Sequence, residues 1–178
     1  MSLVVVAYPN ISQKCRAWID SIRATHDELY YRVIEPHFTL VFPVRDIATE
    51  ELREHVRAQC SDSEEIRFAL RCATCMKDTF SDFMHVFLVP DTGFSSLVRL
   101  HDRLYSGRLE HELRLDIPFI PHVGVGNSRD FAKMKRLADE LNMEPFSVEG
   151  TIEMLDLATY VDNRVSTIER ISLGRAAL

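Results

Sequence analysis

Two histidines share the same local setting. His37 sits in Pro36-His37-Phe38-Thr39-Leu40, and His122 in Pro121-His122-Val123-Gly124-Val125. Both stretches are apolar, β-branched and aromatic, so each reads as a strand, and residues two apart on a strand project to one face. His37 is thereby grouped with Thr39, and His122 with Gly124. An imidazole titrates near pH 6.5. Of two rings facing one substrate atom, one can therefore accept a proton while the other donates one, with no metal required. At phosphorus this chemistry activates water on one side and protonates the departing oxygen on the other, while hydroxyl and backbone N–H donors hold the phosphoryl oxygens. A single strand histidine is more often structural. The paired placement is what favours a site.

The remaining chemistry-bearing residues lack that pairing. Cys72-Ala73-Thr74-Cys75 has no second cysteine pair or suitably spaced histidine pair, and the residues before it read as a strand, so buried structural thiols are expected. Gly124-x-Gly126 has Arg129 where a dinucleotide fingerprint needs its third glycine. His55, His101 and His111 fall in expected helices or at their ends, and His26 follows the first helix. His85 is assigned to a strand that pairs with the first strand and not with a motif strand. Arg67 and Arg71 alternate along a strand and read as its wet face. An aromatic that stacks a base is expected among Tyr8, Tyr30, Tyr31 and Phe80, without a choice between them.

The elements that must position the two motifs follow from hydrophobic period. Leu3 to Ala7 is a buried-strand run, and Ile11, Cys15, Trp18 and Ile22 recur at helical spacing. The first motif strand is followed by a helix carrying Ala48, Leu52, Val56 and Cys60, capped by Asp46 or Thr49. Ile66, Phe68, Leu70 and Cys72 alternate as a half-buried strand. Val86 to Pro90 is another strand, and Leu97, Leu100 and Leu104 mark a third helix. The second motif stretch, Ile117 to Gly126, reads as a strand. The helix after it carries Phe131, Met134, Ala138 and Leu141, with Ser128 as its cap. Val148 to Tyr160 and Val165 to Leu173 read as strands around a turn at Asp162-Asn163.

The landmarks repeat: Pro9 answers Pro90, and Pro36-His37 answers Pro121-His122. A period of about 80 to 85 residues is too long for a solenoid. It implies one domain, 1–178, made of two pseudo-symmetric lobes that share a core. If a pseudo-two-fold axis relates the lobes, the motif strands can lie side by side and aim both imidazoles into one cleft. The fold class is α+β, with two largely antiparallel sheets lining a central cleft and helices outside.

At 178 residues, 46% of them hydrophobic, the chain can bury a core without disulfides or metals. A formal charge of -6 and a pI near 5.6 argue against a broad basic face for a long nucleic-acid backbone, and leave room for a small anionic substrate. The apolar start is too short for a signal peptide or membrane span. The four cysteines suggest reduced thiols, and a cytoplasmic monomer is expected.

Pro36-His37-Phe38-Thr39-Leu40 resembles the His-x-Thr/Ser-hydrophobic motif of the two-histidine (2H) phosphoesterase superfamily, the group of 2'-5' RNA ligases and RNA 2',3'-cyclic phosphodiesterases. Phe119 to Val125 resembles its second motif, and the element order resembles its duplicated bilobal fold over nearly the whole chain. The resemblance implies a metal-independent, cofactor-free hydrolase. Its substrate would be a 2',3'-cyclic phosphate or 2'-5' phosphodiester of a nucleotide or short RNA end. His37 and His122 would be acid and base in either order, with Thr39 and Gly124 at the phosphate. Gly124 departs from the family's Thr or Ser, and Asn127 stands where bacterial ligases often carry a basic residue; both features point to hydrolysis over ligation. The alternative is a non-catalytic nucleotide- or RNA-end-binding module with a degenerate second motif, or a scaffold whose cleft is vestigial.

Overall fold

In the computed structural model, residues 1–174 are described. The chain runs β1 (Ser2–Ala7), β2 (Asn10–Ile11), α1 (Gln13–His26), β3 (Phe38–Val44), α2 (Thr49–Cys60), β4 (Ile66–Lys77) and β5 (Met84–Thr92). It continues through α3 (Phe94–Leu104), a 3-10 turn (Gly107–Glu112), β6 (Val123–Ser128), α4 (Phe131–Met143), β7 (Val148–Ile152), β8 (Met154–Val161) and β9 (Arg164–Ser172). Two antiparallel sheets result, one in the order β3-β1-β8-β9 and the other β2-β7-β4-β5-β6. This is the expected α+β, bilobal architecture.

β1 is buried along its whole length because it serves two apolar surfaces. Leu3, Val5 and Ala7 enter the main core between the sheets and helices, whereas Val4 and Val6 join a small cluster with Ala158 on the other face. A strand covered on both sides loses its alternation and reads as an unbroken apolar run. Helices cross between the sheets: α1, which follows β1, packs on β6, and α3, which follows β5, packs on β3. Gly126 in β6 allows the close approach of α1, since a Cβ there would lie 2.8 Å from Leu137 and 3.3 Å from His26. The β8–β9 hairpin turns at Asp162 and Asn163, both at positive φ, as a two-residue hairpin turn demands.

Several local expectations are corrected. Ile11 belongs to β2, pairing with Gly150, and α1 starts after Ser12, whose hydroxyl accepts the Cys15 N–H. α2 is capped by Ala48 with no side-chain hydrogen bond, leaving Glu50 and Glu51 to favour its N-terminus through the helix dipole. α4 is capped by Asp130, not Ser128, whose hydroxyl is taken by Glu28. Ile117 to Pro121 is not strand: Pro118 and Pro121 have no N–H for a ladder, and β6 begins only after His122. His37 likewise immediately precedes β3.

Cys72 is exposed. Register irregularities on both sides of Leu70 shift the phase of β4, so Arg71 and Cys72 both face outward. Cys75 instead turns its thiol to the Met134 carbonyl. β5 pairs with β4 and β6, so His85 lies beside the second motif strand and not beside β1. Hydrophobic pattern tells which face of a strand is buried but not which strand lies next to it. No helix among the described residues is long and apolar enough to cross a membrane.

Candidate functional site

β3 and β6 are edge strands of different sheets, so the two motifs do not lie side by side as neighbours in one sheet. They meet across a cleft of about 660 Å³ between the sheets. His37, Thr39, His122 and Gly124 all line it, which brings the four sequence-derived candidates together. The volume is that of a small-molecule site, not of a duplex-binding groove.

The two histidines are held alike. His37 Nδ1 lies 2.8 Å from the carbonyl of Glu35, and His122 Nδ1 lies 2.6 Å from the carbonyl of Ile120, each two residues back. A carbonyl only accepts, so Nδ1 carries the proton and Nε2 is left as the unprotonated nitrogen of each neutral ring. The His122 ring also stacks on Phe87, with centroids 3.6 Å apart at 20°, and His37 meets Tyr8 edge-on at 6.4 Å. Burial at the cleft floor pushes both imidazoles down to about 4, against the carbonyl bonds, which favour the charged ring. The neighbouring His37 and His85 lower His122 further. Both rings are therefore neutral at neutral pH unless a neighbouring anion raises their proton affinity.

A stability prediction follows from these shifts. An unfolded histidine binds its proton near pH 6.5 and these two, when folded, near 4, so between those values the unfolded chain holds protons that the fold excludes. Stability contributed by the neutral rings is complete above pH 6.5 and is lost as pH falls through that window. The thermal midpoint of the His37→Gln/His122→Gln double variant is expected to decline less steeply than wild type from pH 6.5 to 4. Parallel melting curves across that window would show that the rings are not held neutral.

The Thr39 hydroxyl makes no hydrogen bond to any described residue, so it is available to a ligand. Gly124 faces the Phe87 ring, and a Cβ added there would lie 4.0 Å from it, an ordinary contact. The space of the missing hydroxyl is thus open, with an aromatic wall beside it.

Four further side chains fix the motif segments. Arg23 of α1 is buried with Asp27 at 3.0 Å, and its guanidinium also donates to the carbonyls of Ile34, at 2.7 Å, and Tyr30, at 3.1 Å. It thereby sets the turn that leads to His37. Asn127 of β6 accepts the Leu29 N–H at 2.9 Å and donates to Asp27, tying that turn to the second motif strand. Its burial explains why a polar uncharged residue stands at position 127. His101 of α3 donates from Nδ1 to the Leu40 carbonyl at 2.8 Å and stacks on Phe119 at 3.5 Å and 3°. Together with the Tyr105 hydroxyl, which accepts the Phe42 N–H, it satisfies groups on the free edge of β3 and braces the loop before His122.

Arg67 and Arg71 point away from the cleft into surface ion pairs with Glu65, Asp91 and Glu149. Of the candidate stacking aromatics, Tyr30 and Phe80 line the cleft, whereas Tyr8 and Tyr31 do not. His55, as expected, is structural, bound to the Leu104 carbonyl at 2.8 Å. The sequence reading missed His85 and Phe87, which line the cleft from β5. Their alternation in Met84–Thr92 was the available signal, since it placed them on one face of a strand. Among the described residues no group of three or more His, Cys, Asp or Glu is arranged to hold a metal ion.

Residues 11–164 match the model of the 2'-5' RNA ligase superfamily. A candidate phosphoesterase of Bacillus licheniformis is 29% identical over 178 residues, covering 98% of this chain and 99% of that protein. The fold is similar to that of E. coli LigT. The crystal structure complexed with NADP+ superposes with a TM-score of 0.61 at 15% identity, covering 98% of both chains. The one complexed with 3'-AMP has a TM-score of 0.58 at 16% identity over 97% of both.

Proposed function

This chain belongs to the 2'-5' RNA ligase superfamily, and from that premise we propose that it is a metal-independent phosphoesterase acting on a 2',3'-cyclic phosphate or 2'-5' phosphodiester of a nucleotide or RNA end. The observation that carries the reading is the matched tethering of His37 and His122, which leaves two Nε2 atoms facing one cleft. One Nε2 takes the proton of the attacking water as its oxygen bonds to phosphorus. The other ring, protonated on Nε2, gives its proton to the ribose oxygen as the phosphorus–oxygen bond breaks. One water is consumed, a monoester is formed, and the two rings exchange protonation states. The bound phosphate anion raises the affinity of a neighbouring imidazole for its proton, which supplies the acid. Thr39 donates to a phosphoryl oxygen. LigT is complexed with NADP+ and 3'-AMP, ligands that carry phosphate on ribose, in keeping with such a substrate.

Gly124 favours a second reading, a nucleotide- or RNA-end-binding module without turnover. The assay that separates them incubates chelator-treated protein with 2',3'-cyclic nucleotides and cyclic-phosphate-ended short RNAs, resolving 2'- from 3'-phosphate products. Chelator-resistant opening supports the enzyme; saturable binding without product supports the module. Gly124→Thr is expected to increase turnover by roughly 10- to 100-fold, the equivalent of one charge-assisted hydrogen bond of about 1.5–3 kcal/mol. The open space beside Phe87 admits the new side chain. An unchanged or reduced rate in a folded Gly124→Thr protein would show that a hydroxyl is not what the second motif lacks.

A further inference from the structure

His85 is a third histidine in the cleft, and the two-histidine chemistry leaves it unused. It alternates with Phe87 along β5, and both side chains line the cleft together with Gly124 of the adjoining strand and His122 just before that strand. Four rings run along this wall: Tyr30 to His85 at 6.4 Å and 16°, His85 to Phe87 at 5.5 Å and 18°, and Phe87 to His122 at 3.6 Å and 20°. The His85 ring thus has two near-parallel aromatic neighbours, Tyr30 and Phe87. One edge nitrogen is committed: Nε2 lies 3.1 Å from Asp78 Oδ2. Asp78 is fixed in turn by the hairpin, where its side chain accepts the Phe80 N–H at 2.7 Å and its own N–H donates to the Phe83 carbonyl at 2.9 Å.

Nδ1 of His85 has no partner among the described residues. A ring oriented by a carboxylate on one nitrogen and open on the other keeps that second nitrogen available to a ligand in the cleft. Lys77, adjacent to Asp78, also lines the cleft, and it forms no ion pair with a described residue. His85 is separated from His122 by Phe87, across centroid steps of 5.5 Å and 3.6 Å.

We propose that the Asp78–His85 pair, with Lys77, binds a second, non-reacting phosphate of the substrate. The site then selects an RNA end or a nucleotide bearing two separated phosphates over a simple cyclic mononucleotide. This inference rests on the phosphoesterase reading for the position of the first phosphate. In it His85 is a substrate-binding residue, and Asp78 positions it.

Titration calorimetry at fixed ionic strength, with adenosine 3'-monophosphate and adenosine 3',5'-bisphosphate as probes, tests it without needing turnover. Wild type is expected to bind the bisphosphate at least about tenfold more tightly, the contribution of one charge-assisted hydrogen bond. His85→Gln should remove most of that preference and leave monophosphate affinity within about twofold, and Lys77→Ala should remove part of it. A preference that survives in both variants overturns the proposal, as does an equal loss of affinity for both ligands in His85→Gln. If neither ligand binds wild type, this proposal fails, while the phosphoesterase reading is decided separately by turnover of a cyclic phosphate. A His85-dependent preference without any cyclic-phosphate turnover would sink catalysis alone and leave the second-phosphate site standing.

Discussion

His37→Ala and His122→Ala are each expected to lower turnover of a 2',3'-cyclic phosphate by roughly 10²- to 10⁴-fold, the usual contribution of a positioned acid or base. The double replacement should be little worse than the poorer single one, because neither proton transfer has value without its partner. Neither ring holds up the fold. His37 and His122 each bond to a carbonyl of their own segment, so removing either leaves the ties between elements in place. The loss for His122 is its stack on Phe87, worth about 0.5–1.5 kcal/mol. The expected signature is therefore a fall in kcat with nearly unchanged unfolding and retained nucleotide affinity. Full turnover by either folded variant would end the two-histidine mechanism for this chain.

Arg23→Met is expected to cost about 3–5 kcal/mol of stability, the usual consequence of stranding one member of a buried ion pair. Both side chains of the Arg23–Asp27 pair are only 3% exposed. Without the guanidinium, Asp27 keeps its bonds from the Tyr30 N–H and from Asn127 but loses its countercharge, while the Tyr30 and Ile34 carbonyls lose their donor. Asp27→Asn in the same chain should recover part of the loss, since the stranded charge is then gone. Denaturant unfolding of the two single variants and the double variant measures this coupling. A loss below about 1 kcal/mol for Arg23→Met would mean that the turn before His37 is held by other contacts. Activity should fall along with stability, because that turn sets the approach to the first motif.

The candidate site was legible where chemistry and local period coincide. Pro36-His37-Phe38-Thr39 and Pro121-His122-Val123-Gly124 announced themselves because a strand's two-residue repeat fixes which side chains share a face. The β8–β9 hairpin was equally plain, since Asp-Asn tolerates the positive φ that a two-residue turn needs. The start of the second motif strand was misjudged because β-branched residues signalled a strand over a segment whose prolines cannot enter a ladder. Cys72 was misjudged because an irregularity in register inverts the faces beyond it, and nothing in the alternating pattern announces one.

What the amino-acid order determined by itself is therefore local and periodic: the helices, most strands, the duplicated landmarks, and the four residues proposed for a site. The tertiary structure decided everything that depends on partners distant in the chain. It placed β3 and β6 on the edges of separate sheets facing one cleft, and it set β5, with His85 and Phe87, against the second motif strand. It also buried both imidazoles enough to push them down to about 4. The physical reason is that hydrophobic period encodes only the direction in which a side chain points. Strand order and the polarity around an imidazole are settled by which surfaces pack together once the whole core has formed.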